Sequence, residues 1–388
     1  MTGEPIHRGS ISIEGGRIAG VDDGARAGAV DLGSVAIMPA LVNAHTHLEL
    51  SYLQGLVPPT KQFLDWIRTI MATRRQYPDA GDPRILDAAR AAIAGARASG
   101  TGLLGDISNT LVTARLLREA SMPAHVFYEL LRFNASDPES MTREARAKAD
   151  AASRDGDVRV SLAPHAPYSV SPVLFASIRA DLDAHAGLVT SVHLGESPEE
   201  IEFIRRGTGP WRVLLEELGV WSDAWEPPGT SPVEYLDQLG FLDRRVLAVH
   251  GVQFDGDDLT RLRSRDMTIV SCPRSNAHVG VGSPPLEAFY AMNVNVAFGT
   301  DSLASVPDLN LFSELAEARR LAPRVPARTL LESATRQGAA ALGFDEDFGT
   351  IETGKRAQLI AVRTPAGVSD VEEYLLSGIR PADISWVS

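Results

Sequence analysis

Between residues 37 and 348, short apolar runs alternate with longer amphipathic stretches, and this alternation restricts the architecture more than any other property of the chain. Strands are expected near 37–43, 102–106, 125–129, 159–163, 188–193, 246–250, 268–271 and 295–298, with helices such as 88–98 and 311–321 between or after them. A strand covered on both faces reads as a continuous apolar run, and a parallel neighbour requires a helical crossover. Eight such units over roughly 250 residues are what a (β/α)8 barrel needs. The expected fold class is therefore α/β, with a TIM-type catalytic barrel over 37–348.

The two ends are patterned differently. From 9 to 37 apolar and polar residues alternate around Ile11, Ile13, Ile18 and Val21, and Gly15-Gly16 sits where a hairpin turn belongs. The tail returns to β-type patterning at Ile351, Gly354 and Leu359-Ile360-Ala361-Val362. A small β-sandwich built from both termini, 1–36 and 349–388, is expected beside the barrel. The stretch 197–239 is longer than a connecting helix requires and is a candidate lid insertion.

With 388 residues, 44% hydrophobic and 22% charged, the chain can bury a sizeable core. A formal charge of −13 repels nucleic-acid backbones and anionic membranes, so neither is expected as a partner. The single Cys272 rules out an internal disulfide framework and fits a reducing compartment. No basic and apolar leader and no stretch approaching ~18 apolar residues is present, so a cytoplasmic location is expected. Neither phosphate-binding glycine motif occurs.

His45 and His47 end the first apolar run, and strand alternation places both on one face with Thr46 opposite. Two such imidazoles can bind one divalent cation, although an isolated pair can equally be a hydrogen-bonded strand end. The positions of three more polar residues alter that balance. His193 closes the fifth run, His250 the sixth, and Asp301 follows the eighth, all at the C-terminal face where barrel enzymes place their sites. Independent structural histidines have no reason to share that placement, so a metal site is expected.

Glu196 lies three residues beyond His193. A carboxyl beside a centre that activates water can move protons in both directions. His250 would orient or deprotonate the water beside Asp301. Ser197-Pro198-Glu199-Glu200 is a capping box, which accounts for Glu200 without a functional role. Arg274 follows the seventh run and can grip a substrate carboxylate in two-pronged fashion, or make a salt bridge on the barrel rim. His7, His125, His185 and His278 have no such support.

Four segments resemble the amidohydrolase superfamily, in its chlorohydrolase and nucleoside or nucleobase deaminase branch: Pro39-Ala40-Leu41-Val42-Asn43-Ala44-His45-Thr46-His47-Leu48, His193-Leu194-Gly195-Glu196, Cys272-Pro273-Arg274-Ser275-Asn276 and Gly299-Thr300-Asp301-Ser302. The resemblance implies His45, His47, His193 and Asp301 as metal ligands and Glu196 as the proton carrier. It also implies that His165, in Ala163-Pro164-His165-Ala166-Pro167-Tyr168, contacts substrate and that Glu200 reaches a substrate hydroxyl. Binuclear members bridge their metals through a carbamylated lysine on strand four. Of Lys61, Lys148 and Lys355, none lies on an expected barrel strand, so one metal is expected. Zn²⁺ suits the ligand set best, with Fe²⁺ or Mn²⁺ also admitted. Two departures concern the small domain: the strand before residue 9 is lacking, and Gln358 stands where the family usually has aspartate.

Thr46-His47-Leu48-Glu49-Leu50-Ser51, Phe63-Leu64-Asp65-Trp66-Ile67 and Glu200-Ile201-Glu202-Phe203-Ile204 resemble the aminodeoxyfutalosine deaminases, which act on an adenine nucleoside of the futalosine route to menaquinone. That likeness implies deamination of a 5′-modified adenosine, a substrate carboxylate for Arg274 or Arg205, and Trp66 among the substrate-binding residues. The alternatives are a guanine- or triazine-type aminohydrolase or chlorohydrolase, and a non-enzymatic barrel scaffold. The expected partner is a small heterocyclic amine, and relatives suggest a homodimer.

Overall fold

The computed structural model describes residues 3–60, 62–153 and 156–387. Eight parallel strands carry the architecture: β4 (Leu41–Thr46), β5 (Thr101–Ser108), β6 (Ala124–Leu130), β7 (Val158–Pro164), β8 (Thr190–Leu194), β9 (Val246–His250), β10 (Thr268–Ser271) and β11 (Asn295–Phe298). They hydrogen-bond in the orders β4-β5-β6-β7 and β8-β9-β10-β11. The two sets adjoin at both edges. The His193 N–H donates to the His165 carbonyl at 2.9 Å on one side, and the Asp301 N–H to the His45 carbonyl at 3.0 Å on the other.

Successive strand residues alternate between two buried clusters, as the period of two requires. Leu247 and Val249 join Val42, Leu103, Phe127, Ala163, Val270 and Ala297, a set to which strands all round the ring contribute. Val246 and Ala248 belong instead to the cluster containing helix residues such as Leu259, Leu262 and Phe312. The helices have recurrent start signals: Asp82-Pro83, Asp137-Pro138, Ser171-Pro172, Ser197-Pro198 and Ser231-Pro232 each pair a capping side chain with proline in the first turn. Proline has no N–H to leave unsatisfied there, and the Ser or Asp oxygen takes one that would be. No helix among the described residues is long and apolar enough to cross a membrane.

The first expected strand proves to be two. β3 (Val35–Pro39) pairs antiparallel with β12 (Leu359–Arg363), which pairs with β13 (Ile384–Val387). Ala40 is the handover point: its N–H still donates to the Gln358 carbonyl, whereas the next N–H, of Leu41, donates to Gly100. A continuous apolar run thus feeds two sheets, and β3 straddles the expected boundary at residue 36. The hairpin β1 (Ser10–Glu14) with β2 (Arg17–Asp22) turns at Gly15-Gly16, both with positive φ. It is tied to the tail through the Ile18 N–H and the Lys355 carbonyl. The 197–239 stretch folds as three short helices, Pro198–Arg206, Pro210–Glu217 and Pro232–Gln238. Phe203 stacks on Trp225 there with ring centroids 4.8 Å apart.

Candidate metal centre

β4 delivers His45 and His47 at its C-terminal end, their rings edge-to-face with centroids 5.0 Å apart. β8 brings His193 to 5.0 Å from His45 and 5.5 Å from His47. Asp301, just beyond β11, points Oδ1 to within 3.5 Å of His47 Nε2 and 3.9 Å of His45 Nε2. The four expected ligands thus come from three strands to one locality: potential ligand atoms of His45, His47 and Asp301 lie within 4.8 Å of one another, and so do those of His45, His193 and His250.

His45 supplies the test of whether a cation fits. Its side chain is 0% exposed, yet neither ring nitrogen has a hydrogen-bond partner among the described residues. Burying an imidazole with nothing to bond is costly unless a cation takes the lone pair. Burial, first, and then the neighbouring histidines push the proton affinities of His45 and His47 well down. His193 is pushed down to about 4, chiefly by burial. Neutral imidazoles are the ligating form, so these close approaches gather donor atoms rather than making ion pairs.

The outer partners orient the donors. His193 Nδ1 donates to the His165 carbonyl at 3.0 Å, which leaves Nε2 as its free lone pair. Asp301 Oδ2 accepts from Ser275 Oγ at 2.6 Å and Oδ1 from the Ser302 N–H at 2.8 Å. His250, at the end of β9, bonds Asn276 Oδ1 through Nδ1 at 2.9 Å and faces Glu196 Oε1 with Nε2 at 3.5 Å. His250 and Asp301 both hold left-handed backbone, φ 79° and 61°. That is costly conformation for non-glycine residues; of the seven described non-glycine residues with positive φ, these two are the ones expected to act. Ser275 and Asn276 had no role in the sequence reading, although their motif was noted.

Glu196 is buried, and burial together with Asp301 and Glu200 raises its carboxyl well above the ordinary range. A protonated carboxyl beside His250 is an acid ready to donate. Its backbone is fixed from behind by Glu200, whose two oxygens accept from the Gly195 and Glu196 N–H groups at 2.9 Å each. With both oxygens engaged and its side chain fully buried, Glu200 acts as a cap and loop clamp; the expected reach to a substrate hydroxyl is not what this geometry provides. Burial outweighs those hydrogen bonds and lifts its carboxyl to about 7.

Arg274 is likewise committed elsewhere. Its Nε donates to Glu314 at 2.6 Å and Nη1 to Asp308 at 2.9 Å, the rim salt bridge rather than a free anion receptor. Arg205 lines a separate surface depression with Asp255 and Asp258. Trp66 stacks on Phe63 in a run of aromatics that continues through Trp211 and Tyr168 to His165. His165 stands beside the centre, its ring 4.9 Å from that of His193 and its Nδ1 2.6 Å from Ser169 Oγ. Burial, assisted by the positive charge of Arg74, lowers it to about 4. His125 is structural, bonded to Ser161 and the Leu342 carbonyl.

One acidic residue escaped the sequence reading. Glu129, near the end of β6, places Oε1 3.6 Å from His193 Nδ1 and accepts from Asn109 Nδ2 through Oε2 at 2.7 Å. A carboxylate closing the third apolar run was the available signal. Lysine is absent from β7, Lys148 lies on the helix Pro138–Ala152, and Lys355 Nζ donates to the Asp345 carbonyl. Lys61 lies outside the described residues.

Gly299 makes the close approach of β11 to β4 possible. A Cβ there would lie 2.7 Å from His45 Cβ and 2.8 Å from its carbonyl oxygen. Gly299→Ala is therefore expected to cost ~1–3 kcal/mol of stability, the usual range for overpacking. It should also weaken metal binding by about tenfold or more, because the strain falls on a ligand. Urea unfolding and metal-competition titration check the two effects.

Residues 36–377 match the family model described as the amidohydrolase family. The chain belongs to that family. This amidohydrolase is 34% identical over 339 residues to an aminodeoxyfutalosine deaminase of Deinococcus radiodurans, covering 83% of this chain and 76% of the relative. Its structure superposes on an adenosine deaminase from Xanthomonas campestris with bound zinc, at TM-score 0.83 and 27% identity, covering 97% of this chain and 86% of the other. The fold is shared with Helicobacter pylori aminofutalosine deaminase in complex with methylthio-coformycin, at TM-score 0.80 and 24% identity, covering 97% and 95%.

Proposed function

We propose that the protein is a metal-dependent hydrolytic deaminase of an adenine nucleoside, with aminodeoxyfutalosine or a related 5′-modified adenosine as substrate. The observation that carries this reading is Glu196, a buried carboxyl held 3.5 Å from His250, which itself groups with His45 and His193 next to the His45, His47 and Asp301 cluster. The similarity to adenine-nucleoside deaminases narrows the ring. One divalent cation would be held by those four residues. Three imidazoles with one carboxylate suit Zn²⁺, the metal of the Xanthomonas structure. When bound, such a cation lowers the pKa of a coordinated water and stabilises developing negative charge.

The chain's own groups then perform the proton work. Glu196 gives its proton to the ring nitrogen next to the reacting carbon, recovers one from the attacking water, and passes it to the amino group, which departs as ammonia when the C–N bond breaks. His250, its tautomer fixed by Asn276, directs Nε2 toward the attacking water and the charge that develops. His165 contacts the heterocycle from the β7 side. Residues 37–348 form the catalytic unit in this reading, with 197–239 as its cover.

A screen of adenine nucleosides, followed by loss of the adenine absorbance, tests the proposal. Deamination of 5′-modified adenosines is expected, with free bases and chlorotriazines turned over at least about a hundredfold more slowly. Turnover confined to free bases or triazines would refute it.

A further inference from the structure

A second group of donor atoms adjoins the four proposed ligands. Potential ligand atoms of Glu129, His165 and His193 lie within 4.8 Å of one another. They come from β6, from the turn after β7 and from β8. His193 belongs to the first centre through Nε2, because its Nδ1–H donates to the His165 carbonyl at 3.0 Å. Glu129 and His165 are the pair left over.

Each has one atom engaged and one free. Asn109 Nδ2 donates to Glu129 Oε2 at 2.7 Å, which fixes the carboxylate plane. Oε1 accepts no hydrogen bond among the described residues and lies 3.6 Å from His193 Nδ1, although the Glu129 side chain is only 5% exposed. A buried carboxylate oxygen without a donor is costly, and a cation removes that cost. On His165, Nδ1 lies 2.6 Å from Ser169 Oγ, and that hydroxyl donates its one proton to the Ala166 carbonyl at 3.2 Å. Ser169 therefore accepts from His165, the ring proton sits on Nδ1, and Nε2 presents a bare lone pair. Among the described residues Nε2 has no hydrogen-bond partner.

One imidazole lone pair and one carboxylate oxygen are donor types for a borderline divalent cation such as Zn²⁺. Donors around a tetrahedral ion stand roughly 3.3 Å apart, so a shift of at most about 1.5 Å closes the pair around it. This is not the lysine-bridged second site of binuclear members, since β7 carries no lysine and Glu129 lies on another strand.

We propose that Glu129 and His165 form a second, weaker divalent-cation site whose occupation inhibits the enzyme. The inhibition rests on the reading above, in which His165 contacts the heterocycle: a cation on its Nε2 occupies the atom that would face the substrate. Two protein donors in place of four make this site the weaker one.

Zinc alone, titrated into the zinc-loaded protein and followed by equilibrium dialysis with elemental analysis, tests the site. Two equivalents per chain are expected, the second bound about a hundredfold or more weakly. Glu129→Gln and, independently, His165→Ala should each abolish the second equivalent and keep the first. Asp257→Asn, in the acidic surface depression with Asp255 and Asp258, is the control for zinc held elsewhere and should keep both. In the deamination assay the second equivalent should raise KM for the nucleoside without lowering kcat. Glu129→Gln should move that inhibition to zinc concentrations about tenfold or more higher. A single equivalent in the wild type, a second that survives both Glu129→Gln and His165→Ala, or one that Asp257→Asn removes, overturns the site. Loss of the first equivalent in Glu129→Gln also overturns it, by making that residue part of the first centre. A second equivalent without a rise in KM overturns the inhibitory role. Absence of any nucleoside turnover overturns the nucleoside reading and the inhibition with it, and the dialysis alone then decides the site.

Discussion

Glu196→Gln is expected to lower kcat by about 10²–10⁴-fold while the metal content per chain stays at the wild-type level. The amide keeps the shape and the approach to His250 but cannot release and recapture a proton. Metal content is the decisive companion measurement, because Glu196 lies outside the four proposed ligands and reaches the centre through His250. Elemental analysis beside steady-state kinetics separates the outcomes. A fully active variant would remove the proton-carrier role; an inactive variant stripped of metal would move Glu196 into the ligand set.

His45→Ala is expected to weaken metal binding by more than the ~10–100-fold typical of outer-shell partners, with activity lost in parallel. Its effect on stability should depend on the metal. In the metal-free protein the substitution removes two unpartnered ring nitrogens, each of which costs ~1–3 kcal/mol to bury, and this offsets much of the penalty for the lost volume. In the metal-loaded protein no such relief exists, and the stabilisation contributed by bound ligand disappears as well. Thermal unfolding with and without chelator should therefore show a small shift without metal and a large fall with it. Equal shifts in both states would mean that His45 holds no cation.

Much of this was legible because apolar runs and their polar ends carry their own punctuation. The runs expected at 246–250, 268–271 and 295–298 coincide with β9, β10 and β11, and the residues closing the fifth, sixth and eighth runs meet at one point. What the pattern could not convey was a change of partner within a run. Residues 35–42 are apolar without a break, yet Ala40 passes the backbone from an antiparallel sheet to a parallel one. For Arg274 the sequence left a carboxylate grip and a rim salt bridge open, for a similar reason. Its neutralising partner Glu314 is 40 residues away on another helix, and nothing local marks the pair. Glu200 shows the opposite case: Ser197 caps the helix as the motif signals, and the Glu200 oxygens accept from the Gly195 and Glu196 N–H groups. Glu129 and Asn109 were not legible because a lone carboxylate or amide closing an apolar run carries no ligand-spacing signal, although both lie at strand ends on the same face.

The contact between β11 and β4 has a consequence for when the centre comes into being. Thr46 Oγ1 donates to the Asp301 carbonyl across 255 residues, and the ligands on either side are separated by nearly as much chain. A polypeptide emerging from the ribosome displays the His45 and His47 pair early, His193 midway and Asp301 late. Two imidazoles on an unfinished sheet have neither the donor number nor the fixed spacing to discriminate among cations. Selection of the ion is thus deferred until the last parallel strand docks against the first, the slowest kind of contact for a chain to find. Under the proposed ligand set, acquisition of metal would mark completion of the ring rather than start it.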